Sequence, residues 1–309
     1  MFRSGFPFFP KRCFCPLRHR SIQERVLALR RRVLGDDHPE TLISINNMGA
    51  LLLAMGKYEE ALLYCREALE GFRRVLGDDH PHTLASINNM GALLKSMGKY
   101  DEAEPYFREA LEGSRRVLGD DHPDTLNSIN NMGGLLSSMG KLEEAEPYYR
   151  EALEGRRVLG DDHPDTLTSI NDMGALLWAM GKYEEVLPYW REALEGMRRV
   201  LGDDHPETLI SIGNMGALLN EMGKLEEAEP FHREALGGKR RLLGDDHPGT
   251  LTSINNMGGL LQSMGKLAEA EGYYSEALEG SRRVLGDDHP DTLISIYSTS
   301  KLLIRLEQF

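Results

Sequence analysis

Apolar residues recur along this chain at intervals of three and four. Leu42, Ile45, Met48, Leu52 and Met55 form one such run, and Ala61, Cys65, Ala68, Leu69, Phe72 and Leu76 form the next. Each run draws a single stripe on an α-helix, with polar residues on the other faces. Gly56-Lys57 separates the two stripes. Gly35 and Gly77 fall where a helix would close on a left-handed residue. The pattern predicts pairs of helices and an all-α fold.

The pair repeats. Leu-Gly-Asp-Asp-His-Pro occurs seven times, with its glycine at 35, 77, 119, 160, 202, 244 and 286. The steps are 42 residues, except for one of 41. A fixed period of about 20 to 50 residues marks a repeat architecture. Neither helix of a unit can bury its stripe alone, so stacked copies bury each other's and form a solenoid with contacts between neighbours. Six complete units run from about residue 37 to 290, residues 21–36 match the end of a second helix, and residues 291–309 match a first helix before departing from it. The short step comes from Glu154-Gly155-Arg156-Arg157-Val158, where other copies carry one residue more. Inside a helix such a loss turns everything downstream by roughly 100°. It is more easily absorbed near the helix end.

Each repeat also breaks helix rules at its first helix. The middle reads Asn46-Asn47, Asn88-Asn89, Asn130-Asn131, Asn171-Asp172, Gly213-Asn214 and Asn255-Asn256, followed each time by Met-Gly. Such a pair plus glycine costs roughly 2 kcal/mol against alanine. Local rules broken without local gain point to function. An amide offers both donor and acceptor, so a row of them can bond a peptide backbone without reading its sequence. Bonding between neighbouring repeats is the competing account for any one asparagine. The residues that differ between copies flank these pairs, among them Leu53, Lys95, Ser137, Trp178, Asn220 and Gln262. Trp178 suits anchoring of a partner side chain, with burial between repeats as its alternative.

The Asp-Asp-His run suggests chemistry. Its place, between a helix-ending glycine and a proline suited to the first helical turn, suggests punctuation, with the second Asp or the His as helix cap. Metal ligands must converge within about 2.0–2.3 Å of one ion, which seven copies separated by helix diameters do not. Seven of the ten histidines sit in this motif, leaving His19, His82 and His232 scattered. No phosphate-binding glycine loop, dinucleotide fingerprint or HExxH pair occurs, and nothing marks a nucleophile. The reading assigns no catalytic residue, no metal and no cofactor. Glu70–Arg74, Glu112–Arg116, Glu195–Arg199 and Glu279–Arg283 have i,i+4 spacing in the favourable order, as on a solvated face.

Certain residues carry a resemblance. Met90-Gly91 in the first helix, Ala103 near the start of the second, Phe107 four residues later and Ala110 three after that resemble the tetratricopeptide repeat. The 42-residue unit, with LGDDHPDTL, NNMG and GKLEEAEPYYREAL, is similar to the kinesin light chain subclass, shared with nephrocystin-like proteins. The match covers nearly all of residues 21–305. It implies a tetratricopeptide-repeat solenoid, a right-handed superhelix whose first helices line the concave side. It also implies a non-enzymatic scaffold that binds an extended or short helical peptide segment in that groove. The candidate groove residues are then Asn46, Asn47, Asn88, Asn89, Asn130, Asn131, Asn171, Asp172, Asn214, Asn255, Asn256, Lys95 and Trp178. Kinesin light chains read acidic peptides with basic groove residues. Lys95 is the one such residue among the variable positions, which argues against an acidic or carboxylate-ended ligand. Residues 1–20 hold no heptads, which leaves attachment to a motor in doubt.

Charge narrows the partners. The net charge is −13, but the first 23 residues carry five cations and no acid, so the rest stands at −18. An acidic body repels phosphate backbones, so no nucleic acid is expected. No apolar run reaches the roughly 18–20 residues of a membrane span. Three cysteines make no disulfide framework, which points to a reducing cytoplasmic setting. Residues 1–20 are basic, Phe-rich and cut by Pro7 and Pro10. They read as a disordered tail, a transit peptide being the alternative although Ser4 is their only hydroxyl. Two other functions stay open. One is a regulatory array cut from a larger NTPase- or protease-containing protein, since both ends fall mid-unit. The other is an array that self-associates through the terminal helix, where Leu302, Leu303, Ile304 and Leu306 lack a covering partner.

Overall fold

The computed structural model describes residues 16–306. Most of the expected N-terminal tail lies outside the described residues. Among these, fourteen α-helices follow one another and no strand occurs. They are α1 (Pro16–Leu34), α2 (Pro39–Ala54), α3 (Tyr58–Leu76), α4 (Pro81–Ser96), α5 (Tyr100–Leu118), α6 (Pro123–Ser138) and α7 (Leu142–Arg157). They continue with α8 (Pro164–Ala179), α9 (Tyr183–Leu201), α10 (Pro206–Glu221), α11 (Leu225–Leu243), α12 (Pro248–Ser263), α13 (Leu267–Leu285) and α14 (Pro290–Leu306). The chain divides into two compact units, Met1–Gly160 with Pro164–Leu176, and Asp161–His163 with Leu177–Phe309.

The Leu-Gly-Asp-Asp-His-Pro loop builds one helix end and the next helix start. Gly77 takes φ +83°, a conformation that side chains resist, and its N–H closes α3 on Arg73 O at 3.1 Å. Histidine is the cap. Its ring Nδ1 accepts the backbone N–H two residues on, from Glu40 at 3.2 Å, His82 at 3.1 Å, Asp124 at 3.2 Å and Gly249 at 3.0 Å. Proline supplies the first helical residue, where a missing N–H costs nothing.

The two aspartates do not cap; they receive arginines. The first pairs with its own second helix, as in Arg73–Asp78 at 3.1 Å and Arg240–Asp245 at 3.0 Å. The second pairs with the arginine of the following second helix: Asp37 with Arg74, Asp79 with Arg116, Asp204 with Arg241. The i,i+4 pairing of Glu70 with Arg74 and Glu112 with Arg116 is thereby replaced. Those arginines turn back to the preceding loop, and Arg73 reaches Glu109 of the next second helix at 2.6 Å.

Glycines set the packing distance inside each pair. A β-carbon on Gly258 would stand 2.8 Å from the Tyr274 ring, and one on Gly49 would stand 2.6 Å from Cys65 Sγ. The residue that presses on the first-helix glycine is thus the aromatic, or its counterpart, rather than the alanine four residues earlier. A second glycine, on the second helix, is equally constrained. Gly71, Gly113, Gly155, Gly238 and Gly280 lie against the side chains of Leu42, Leu84, Leu126, Leu209 and Leu251, where a β-carbon would collide. Leu27, Leu42, Ile45, Ala68 and Phe72 form one core cluster across α1, α2 and α3, and Leu236, Leu251, Ile254 and Ala277 form its counterpart across α11, α12 and α13.

The missing residue is absorbed at the helix end. Gly155 still meets Leu126, so α7 keeps phase to that point. It then stops at Arg157 after 16 residues, where α3, α5 and α9 run for 19. Val158 is left 86% exposed.

Candidate functional site

First helices of adjacent pairs pack against each other: α2 with α4 and α4 with α6 in the first unit, α10 with α12 and α12 with α14 in the second. Second helices are joined through long side chains instead, as in Arg31–Glu67, Arg73–Glu109 and Arg240–Glu276. The first-helix side is therefore the tighter, inner side of each unit.

The asparagine pairs sit on that side, in two environments. Asn89 Nδ2 donates to Asn46 Oδ1 at 3.2 Å, and Asn130 Nδ2 donates to Asp172 Oδ2 at 2.9 Å. In both bonds the first member of one pair meets the second member of the next pair, so part of the amide row ties repeats together. The Oδ1 atoms of Asn88, Asn130 and Asn255 are buried without a partner. Their residues keep partial exposure, as do Asn46, Asn89, Asn131, Asn171 and Asn214, while Asn47 and Asn256 are exposed. Gly213 breaks the row in α10.

Around Asp172 the first unit gathers charge. Lys95 reaches over α6, and a β-carbon on Gly134 would stand 2.8 Å from its Nζ. Burial pushes the Lys95 ammonium below the usual lysine range, opposed by the attraction of Asp172. Burial likewise raises the Asp172 carboxyl, opposed by the Asn130 hydrogen bond and by Arg156 and Lys95. The Tyr149 phenol is raised by burial and by the Asp172 charge. Arg156 is 5% exposed and donates to Ser169 Oγ at 2.6 Å and to Asn127 Oδ1. Reasoning from the sequence misses Arg156. The available signal is the shortened Glu154–Val158 stretch, which leaves an arginine where other copies hold Phe72, Ser114 or Met197.

Trp178, in the second unit, is partly exposed. It stacks on Trp190 with centroids 5.4 Å apart and planes at 21°, and meets Tyr183 at 5.3 Å. One face is thus spent on its own repeat. Among the described residues no group of three or more His, Cys, Asp or Glu is placed to hold a metal ion. No described helix is long and apolar enough to cross a membrane.

The tetratricopeptide repeat profile matches seven overlapping stretches, residues 20–72, 43–112, 83–157, 139–189, 170–241, 213–280 and 250–309. The chain belongs to the tetratricopeptide-repeat family. Its fold is a tetratricopeptide-repeat solenoid. BtubC (BKLC) from P. vanneervenii superposes with a TM-score of 0.65 at 22% identity, over 75% of this chain and 94% of that one. A Podosopora anserina putative kinesin light chain with nearly identical TPR-like repeats gives 0.57 at 19% identity, over 67% of this chain and 98% of that one. A single-residue variant of that fungal protein gives the same score and identity over 66% and 97%. At these identities the likeness establishes the fold. Comparison with curated proteins returns no match. As a tetratricopeptide-repeat chain, the protein has the architecture of a protein-interaction scaffold.

Proposed function

We propose that the array binds an extended or short helical segment of a partner protein along the inner face of its first helices and performs no chemistry on it. One observation carries this reading. Amides that weaken their own helices recur on the inner side and retain solvent exposure even where they bond a neighbour. The exposed edges of Asn47, Asn89, Asn131 and Asn256 would grip the visiting backbone. Lys95, beside Asp172, and the open face of Trp178 would add selectivity. Cytoplasmic residence belongs to the same proposal: Cys65 is a buried free thiol whose pKa burial pushes up to about 11, an inert group in a reducing setting.

The test is a double change, Asn47→Ala with Asn256→Ala. Both amides are exposed and alanine favours the helix, so the melting temperature should hold or rise. Capture of partner segments from a peptide display library should fall by about tenfold or more. A sharp fall in melting temperature with capture intact would assign these residues to the stack.

A second reading, self-association, draws on α14, where Leu293, Ile294, Tyr297, Leu303 and Ile304 are each at least 45% exposed. Sedimentation of Leu303→Lys with Ile304→Lys against wild type distinguishes the two, because only self-association predicts a lighter species.

A further inference from the structure

In the second unit a cleft of about 310 Å³ opens among α10, α12 and α14. On α14 it is lined by Tyr297, Lys301 and Arg305. Counted from the repeated motif, these stand where α12 has Asn255, Gly259 and Ser263, so the copy gains a ring and two cations. Lys301 and Arg305 are one helical turn apart, where like charges repel. No Asp or Glu lines the cleft, and among the described residues neither cation has an ion pair, although arginines elsewhere are paired at nearly every junction. In a chain of net charge −13 this is a local reversal of sign.

The facing wall supplies neutral donors. Tyr274 O–H donates to Gln262 Oε1 at 2.8 Å, which engages the amide oxygen and leaves the N–H₂ for another partner. Asn220 adds a second amide. Two cations carry one charge more than a singly charged carboxylate would neutralise. They match a dianion with three acceptor oxygens. We infer that this cleft receives a phosphomonoester, the phosphorylated side chain of a captured peptide segment, with Tyr297 flanking it. The inference rests on the inner-face reading for its peptide context and on the cleft alone for its anion.

The probe is phenyl phosphate, titrated into the whole chain and followed by amide chemical shifts. Saturable shifts should centre on residues 297–305 and on Gln262, and Lys301→Gln with Arg305→Gln should weaken binding by about tenfold or more. Benzoate should bind at least about fivefold more weakly. Both substituted positions are exposed, and unchanged shifts in α10 and α12 of the variant would show that its fold is intact. Absence of saturable shifts, equal affinity in the double variant, or equal affinity for benzoate overturns the assignment. Phenyl phosphate has no peptide backbone, so failure of the wild-type chain to capture any peptide segment, with this binding intact, defeats the proposed function and leaves the cleft standing.

Discussion

Two junctions in the first unit present the same serine and treat it differently. Between α7 and α8, Arg156 donates to Ser169 Oγ and to Asn127. Between α3 and α4 the equivalent second-helix position is Phe72, and the hydroxyl of buried Ser86 finds no partner. The other cationic copies follow Arg156: Arg30 donates to Ser44 Oγ at 2.7 Å, and Lys239 donates to Ser253 Oγ at 2.8 Å. A cation at this variable second-helix position thus satisfies the serine where Phe72 does not, while Ser128 and Ser295 bond Asp124 O and Asp291 O of their own helices instead. The penalty for a stranded hydroxyl is small enough for the fold to bear.

The strongest way to break this comparison is Arg156→Met. It strands buried Ser169, breaks the bond to exposed Asn127 and removes a charge that compensates Asp172, so denaturant titration should register a loss of about 2–3 kcal/mol. No loss would mean that the arginine is only filling space. Next in size is the glycine contact shared by both junctions. Gly113→Ala drives a β-carbon into Leu84 and should cost about 1–3 kcal/mol, whereas Gly272→Ala meets open space in a helix and should gain up to about 1 kcal/mol. The two serines give a smaller, opposed pair. Ser86→Ala should raise stability by about 1 kcal/mol and Ser169→Ala should lower it by about as much; equal signs would refute the contrast.

The smallest effect extends the comparison to the second unit. His232 is buried against Gly216, where other copies place Phe107, Tyr149 or Tyr274. Burial holds its imidazole below the usual histidine range, with Lys239 adding to the shift. The unfolded chain takes up the proton first as pH falls below about 6.5. The stability tied to neutral His232 is therefore present above that pH and lost as pH drops toward the folded value. Melting curves from pH 7 to pH 5 should fall less steeply for His232→Phe than for wild type.

The period, the helix pairs and the histidine cap are legible in the sequence, because each depends on spacings of a few residues. The partners of the arginines are not. Glu70 stands four residues from Arg74 along the chain, but folding brings Asp37 closer, 37 positions away. Gly71 and its copies escape notice because a lone helical glycine reads as weak propensity until Leu42 is seen lying on it. For the amides the sequence leaves groove and stack open. The structure places Asn46, Asn89, Asn130 and Asp172 in bonds between repeats while leaving edges of the row accessible. Arg156 is hidden by its cause: a deletion reads as a defect until the side chain it shifts into place is found bonding the next helix.

The arginine links also bear on how such a chain changes length. Asp37 with Arg74 and Asp79 with Arg116 in one unit, like Asp204 with Arg241 and Asp246 with Arg283 in the other, are the same bracket at successive positions. Excising or duplicating one whole period within a unit would rejoin surfaces that already match. Rungs could be gained or lost by recombination between near-identical coding segments, with no new interface to invent, except at the Arg156 junction, whose partners are its own.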